Sequence, residues 1–374
     1  MEGSTAAVRY VDHHCHGVVL ADLDRPRFES LMNEGVRAGA RGTTFFDSME
    51  GLALRRWCGP LLDLDPHSSP DAYLERRAEV GGTEVARRFL AASGTDAFLV
   101  DTGYAPDQVT PPDELARLAA GTAYQVIRLE TIAQELLRNG VPASEVPERV
   151  IQTLAETSAV GAKSIAAYRV GLALPAAKPA LDEVVHTLDL VEPGADGSFR
   201  IAHPALNGWL AWTAVEAGIP LQFHVGYGDS DVNLHECDPL LLTGFLRATE
   251  DRGVPVMLLH NYPFHRHAGY LAQVFEHVFV DVGLAVHNTG ALSVAVLRER
   301  LELAPFGKVL YSSDAYGLPE LYFLASTLFR RALADVLDTL VATGDATDED
   351  ARHITSLVAS ENARRAYQLA TTSA

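Results

Sequence analysis

The feature that most limits what this chain can fold into is a repeated alternation of short β-branched or apolar runs with longer segments of helical period. Eight such runs stand out: "AVRYVDH" (7 to 13), "DAFLVDT" (96 to 102), "AYQVIRLE" (123 to 130), "AKSIAAYR" (162 to 169), "IPLQFH" (219 to 224), "VPVMLLH" (254 to 260), "VFVDVG" (278 to 283) and "KVLYSSD" (308 to 314). Strands separated by helices point to a parallel sheet covered by helices, and eight of them predict an α/β fold of the (β/α)8 TIM barrel type. A ninth run, "TTFFD" (43 to 47), is short and is followed by "SMEGLALRRWCGPLLDL", which reads as helix. Residues 22–90 are therefore expected to form a mainly helical insertion after the first strand, within one barrel domain spanning 1–374.

Between the later strands the helices carry their own signals. In "SEVPERVIQTLAETSAV" (144 to 160), Val146, Val150 and Leu154 share one face, and Pro147 suits the first turn. "DPLLLTGFLRATEDRG" (238 to 253) opens with an Asp cap and a Pro and closes with Gly. "EPGADGSFRIAHPALNG" (192 to 208) reads as a loop over one end of the barrel.

Composition excludes several classes of function. The formal charge of −19 comes from acids spread along the chain, which would repel a phosphate backbone or an anionic membrane. Neither nucleic acid nor membrane is an expected partner. Cys15, Cys58 and Cys237 are too few and too scattered for a disulfide framework, which suits a reducing compartment. "MEGSTAAVRY" has no basic segment followed by an apolar one, and no apolar run approaches the roughly 18 residues of a membrane span. A cytoplasmic location, a small-molecule substrate and room for a homo-oligomer are the resulting expectations. Of 30 basic residues only Lys163, Lys178 and Lys308 are lysine, so a lysine inside an apolar segment calls for a reason.

The chemistry lies at the ends of the runs. Alternate residues of a strand share a face, so in "VDHHCHG" His14 and His16 converge while His13 turns the other way, toward the helix layer, unless a bulge intervenes. Later strands end on His224, His260 and Asp314. An apolar strand ending in His or Asp places a polar group at the C-terminal mouth of a barrel, where the active sites of this fold lie. A lone buried histidine is more often a hydrogen-bonded core residue than a ligand, whereas the ordered set of His14, His16, Lys163, His224, His260 and Asp314 is much more specific.

On "VDHHCHG", "GAKSIAAYRVGL", "LQFHVGYGDSDVNL", "LLHNYPFHRHAGYLA", "FVDVGLA", "VLYSSDAYGLPELYFLA" and "ENARRAY", the chain resembles the amidohydrolase superfamily of metal-dependent barrels. Within it, the chain is similar to the branch containing the N-terminal domains of FluG-like and nodulin/glutamine-synthetase fusion proteins. The resemblance implies two divalent metal ions, whether zinc, manganese or iron. It makes His14 and His16 ligands of one metal, His224 and His260 ligands of the second, and Asp314 a ligand beside the first. It also implies that Lys163 bridges the pair as a CO2-derived carbamate. That fits the chemistry, because a desolvated lysine loses its proton more readily and arginine stays protonated. A bridging water would attack a polarised carbonyl while Asp314 handles the proton.

Arg169, six residues beyond Lys163, is expected in the following loop, where it could clamp a substrate carboxylate. Asp229 with Asp231, Tyr262, His265 and His267 are expected around the mouth. Asn261 and His267 stand where the family pattern has a small residue and a glutamate, which separates this chain from the family's usual substrate. The leading expectation is a binuclear hydrolase of an amide or related C–N bond in a carboxylate-bearing small molecule, such as a γ-glutamyl-like amide. The alternatives are a di-iron monooxygenase of a biosynthetic pathway, a metal-dependent decarboxylase, and a non-catalytic scaffold.

Overall fold

A computed structural model describes residues 8–370; the segments MEGSTAA and TTSA at the two ends, including Ala7 of the first expected strand, lie outside the described residues. Seven of the eight runs form strands: β1 (Tyr10–Cys15), β2 (Thr95–Asp101), β3 (Thr122–Arg128), β4 (Gly161–Ser164), β5 (Leu221–Val225), β6 (Val256–His260) and β7 (Val278–Val280). All neighbours are parallel and follow chain order.

The eighth run is extended but forms no regular strand. Its backbone still joins the two edges. Leu310 N–H donates to Val280 C=O at 2.9 Å, His13 N–H to Tyr311 C=O at 3.2 Å and Asp314 N–H to His14 C=O at 3.0 Å. The ladder breaks because Ser313 is held by Asp12, whose carboxylate accepts from its N–H at 2.9 Å and its hydroxyl at 2.5 Å. Asp314 then turns into the left-handed region at φ 52°. This segment completes the (β/α)8 arrangement between β7 and β1.

Several strands end earlier than their runs, among them β3, β4 and β7. The run from 162 ends as strand at Ser164 because a Glu130 carboxylate oxygen accepts from Ser164 Oγ (2.9 Å), Ile165 N–H (3.0 Å) and Asn207 Nδ2 (3.1 Å). Those bonds bend the chain into a 3-10 turn at Ala166–Tyr168. Leu129 and Glu130, expected in the third strand, instead open a helix.

Between β1 and β2 run α1 (Arg25–Ser30), α2 (Met49–Trp57), α3 (Pro70–Val80) and α4 (Gly82–Ser93). The discarded run 43–47 is a 3-10 turn at Phe45–Asp47, capped by Thr44. A buried ion pair of 2.7 Å links Arg77 of α3 to Glu320. The crossover helices are α5 (Pro112–Ala119), α6 (Leu129–Arg138), α7 (Val146–Glu156), α8 (Leu181–Asp189), α9 (Pro204–Glu216), α10 (Thr243–Thr249) and α11 (His265–Val274). They are followed by α12 (Ala285–Asn288), α13 (Ser293–Arg300), α14 (Pro319–Thr343), α15 (Asp348–Ser356) and α16 (Asn362–Ala366). α7 buries Val146, Val150 and Leu154 as its period requires. The loop expected over 192–208 stops at His203, which caps α9 through its ring nitrogen. Among the described residues no helix is long and apolar enough to cross a membrane.

A separate buried cluster joins Val11, Leu99, Val126, Met257, Leu259, Phe279 and Leu310 with Ala363, Ala366, Tyr367 and Leu369. Side chains from strands so far apart in the sheet can meet only inside the barrel. The C-terminal residues therefore enter its floor.

Candidate functional site at the mouth of the barrel

The first pair of expected ligands arises from an irregular strand. The register of β1 slips between Asp12 and Cys15, and a bulge of this kind re-aims side chains. His14 and His16 reach one cavity, as alternation predicts. His13, expected toward the helices, is instead fully buried against Tyr367 and Asp281. The bulge lets three histidines of one stretch serve the interior.

His260 also departs from alternation. Met257 and Leu259 of β6 face the barrel interior, so a regular strand would turn His260 outward. A left-handed backbone at His260 (φ 66°) and Asn261 (φ 64°) brings it into the cavity. The conformation costs on the order of 1–3 kcal/mol per residue. It is held by Asp281, whose carboxylate accepts from His260 N–H at 2.7 Å, and by Asn261 Nδ2, which donates to Leu258 C=O and Asp281 C=O.

Among the described residues, His14, His16 and Asp314 offer ligand atoms all within 4.8 Å of one another. Asp314 Oδ1 lies 3.2 Å from His14 Nε2 and 3.6 Å from His16 Nε2, while its Oδ2 lies 3.4 Å from His260 Nδ1. Lys163 Nζ is 3.4 Å from His14 Nε2. The centroid of the His224 ring lies 4.7 Å from that of His260 with the rings tilted by 53°, and its Nε2 is directed at Tyr227 C=O, 3.1 Å away. All six expected ligands thus line one cavity.

The donor set suits a divalent cation. His260 Nδ1 is buried without a hydrogen-bond partner, a costly state for a polar atom that a metal would relieve. Burial, followed by the charge of Lys163, lowers His14 to about 3. Burial lowers His260 to about 4 against the opposing effect of Asp314, and His224 falls well below its ordinary value. These rings are therefore neutral, with lone pairs available. Burial alone would raise Asp314, but His260, His14 and His16 hold it well below the usual carboxylate range. Lys163 is brought down to about 8 by burial, against Asp314 and Asp101.

A pH dependence follows for metal-free protein. The ordinary histidine value is 6.5, whereas the folded values of His14 and His260 are about 3 and 4. Between pH 6.5 and 4 these two histidines take up protons in the unfolded chain and not in the native one, which lowers stability as pH falls, while Asp12 and Glu34, raised by burial to about 7 and about 8, act in the opposite direction. Each histidine contributes about 1.4 kcal/mol per pH unit across that window. Calorimetry of metal-free protein should show that lowering the pH from 7 to 4 costs His14→Gln less stability than it costs the wild type; parallel profiles would contradict the neutral state of His14.

The remaining expected residues divide. Arg169, Asp229 and Asp231 line the cavity. Arg169 Nε is buried without a partner, leaving a donor for an anion. Asp231 is paired with Arg200 at 3.0 Å. Tyr262, His265 and His267 lie outside the cavity lining, which corrects their expected place at the mouth. His265 pairs with Glu299 at 2.5 Å and His267 with Asp238 at 2.9 Å, because both project from α11 toward neighbouring acids. Tyr262 stacks on His265.

Other cavity residues carry no comparable sequence signal. Glu34 comes from the segment after α1, and its acid is raised to about 8 by burial, Asp314, Glu50 and Asp229. His287 comes from α12, with Glu50 3.7 Å from its Nδ1. Tyr104, Tyr168 and Tyr316 supply aromatic walls. Asp101, which pairs with Arg128 at 2.6 Å, was within reach of the strand-end rule, since it closes β2. Gln222 shares a strand face with His224 and could have been found by the same parity.

A family model described as amidohydrolase matches residues 191–369. Protein fluG of Emericella nidulans is 27% identical over 398 residues, which covers 96% of this chain; the chain spans 45% of that protein's length. A solved structure from Lactobacillus casei, whose description proposes a metal-dependent hydrolase, is 26% identical and superposes with a TM-score of 0.83 over 97% of this chain and 96% of its own. Glucuronate isomerase from Caulobacter crescentus shares the fold at 12% identity, with a TM-score of 0.65 over 98% of this chain and 93% of its own. Sequence, fold and the convergence of strand-end histidines agree: the amidohydrolase family model matches just under half of the chain, and along nearly its whole length the chain is similar to protein fluG and to the Lactobacillus casei structure.

Proposed function

We propose that this chain, read as one catalytic barrel over 1–374, is a binuclear metal hydrolase that cleaves an amide or related C–N bond in a small carboxylate-bearing molecule. The observation that carries the reading is the approach of His14, His16 and Asp314 to within 4.8 Å, with Lys163, His224 and His260 on the same cavity. His14, His16 and Asp314 would hold one divalent cation, His224 and His260 the second, and Lys163 both as its carbamate. Bound zinc, manganese or iron would lower the pKa of water and polarise the scissile carbonyl.

The chain's own groups account for the rest. Asp314, ionised and central, accepts the proton of the attacking water and returns it to the departing nitrogen. Arg169 offers its unpartnered Nε to the substrate carboxylate. The cavity, of about 210 Å³, suits a small molecule enclosed by Tyr104, Tyr168 and Tyr316.

The deciding experiment is elemental analysis of protein purified without added metal, combined with an oxygen-uptake assay. Two zinc or manganese ions per chain without uptake is the expected result. About two irons with substrate-dependent O2 consumption would replace hydrolysis with oxygenation, and a stoichiometry near zero would favour a scaffold.

A further inference from the structure

The C-terminal motif "ENARRAY" takes no part in the site described above, yet its tyrosine reaches the barrel floor. Tyr367 is buried and lies directly below the first ligand strand, bonded to both His13 and Gln222. We propose that Tyr367 and Gln222 are positioning residues that fix the tautomer of His14 and thereby its affinity for a divalent cation. The inference rests on the reading of His14 as a ligand.

Two groups that can only accept, the His13 backbone carbonyl and the Asp281 carboxylate, set the directions of the hydrogen bonds in the chain. Gln222 Nε2 lies 2.8 Å from the backbone carbonyl of His13, so this end of the side chain must be the NH2 group. Its Oε1 therefore faces His14 Nδ1 at 2.8 Å, and Nδ1 must carry the proton. The lone pair is left on Nε2, the nitrogen that faces Asp314 and Lys163.

The second Gln222 N–H donates to the Tyr367 oxygen at 2.7 Å. Tyr367 O–H then donates to His13 Nδ1 at 3.0 Å, and His13 Nε2–H donates to Asp281 Oδ2 at 2.7 Å. The other oxygen of Asp281 accepts the backbone N–H of His260. A single directed chain thus links His14 on one side of the site to the left-handed turn that presents His260 on the other. Burial makes a misdirected member expensive, because each group has no water to turn to.

The test titrates metal-free protein with Co2+ alone and follows visible absorption, with Tm measured in parallel. Tyr367→Phe keeps the ring in the floor and removes only the hydroxyl; its Co2+ affinity should fall roughly tenfold. Gln222→Leu removes the acceptor for His14 Nδ1–H and should lose about ten- to a hundredfold, the range typical of groups that orient metal-bound histidines. Leu369→Ala, in the same floor cluster but outside the chain of bonds, should lower Tm and leave Co2+ affinity unchanged. Wild-type affinity in both Tyr367→Phe and Gln222→Leu, whatever their Tm, would overturn the inference and leave these residues as packing. If Gln222→Leu does not fold, Tyr367→Phe decides. Failure of the wild-type protein to bind Co2+ would be a different result: it would remove the metal site itself.

Discussion

Lys163→Ala should emerge from purification with less than half the metal of the wild-type protein, and so should His14→Ala. Lys163 is 2% exposed at the end of β4, beside a histidine and close to no fixed carboxylate partner nearer than Asp314's field. A permanent ammonium there would oppose any cation held by His14. Burial eases the conflict by bringing the amine down to about 8, so that roughly a tenth of it is neutral at about pH 7. Only the neutral amine can add CO2, and the product replaces a positive charge with a negative one and two oxygen donors. Alanine removes that ligand and leaves the ring of histidines with one carboxylate. Inductively coupled plasma mass spectrometry on wild type and both variants, prepared side by side, measures the effect. Full retention of metal in Lys163→Ala would remove the carbamate from the site; full retention in His14→Ala would remove the first ligand pair.

If the proposed hydrolysis is correct, Asp314→Asn should lower kcat/KM by roughly 10²–10⁴-fold toward a carboxylate-bearing amide that the wild-type protein is found to cleave, the range of a lost general acid–base group. The substitution is a fair probe of chemistry because Asp314 sits at φ 52°, a backbone that Asn tolerates as readily as Asp. Its N–H bond to His14 C=O is a backbone contact and survives. The fold should therefore be kept, and the amide oxygen can still face His14 and His16. What disappears is the ability to take a proton. Screening a panel of such amides and comparing kcat/KM of the two proteins, with far-UV circular dichroism as a control on folding, tests the assignment. Activity within tenfold of wild type would move the proton-accepting role elsewhere in the cavity, where Glu34 and His287 are the groups placed to assume it.

Much of this site was legible because a parallel barrel converts order along the chain into position around a ring. Each strand ends at the same mouth, so His224, His260 and Asp314 could be assigned to it from where their apolar runs stop. Strand parity also paired His14 with His16. Parity failed wherever the backbone left the regular ladder. His13 shares the interior face of Val11, His14 joins it there because β1 bulges between Asp12 and Cys15, and His260 faces the cavity only through its left-handed turn. His265 and His267 were misplaced because α11 turns them away from the mouth and onto Glu299 and Asp238, and Tyr262 stacks on His265.

The sequence by itself determined the class of fold, the order of the strands and the six residues gathered at their ends, since these depend on local period and on the one-way geometry of parallel crossovers. Only the tertiary structure decided which way each histidine ring carries its proton, which acids and tyrosines wall the cavity, and that Tyr367 closes the floor 353 positions from His14. Those facts depend on bulges, left-handed turns and contacts between distant segments, where the energy lies in satisfying buried polar atoms together, and no local pattern of residues encodes that.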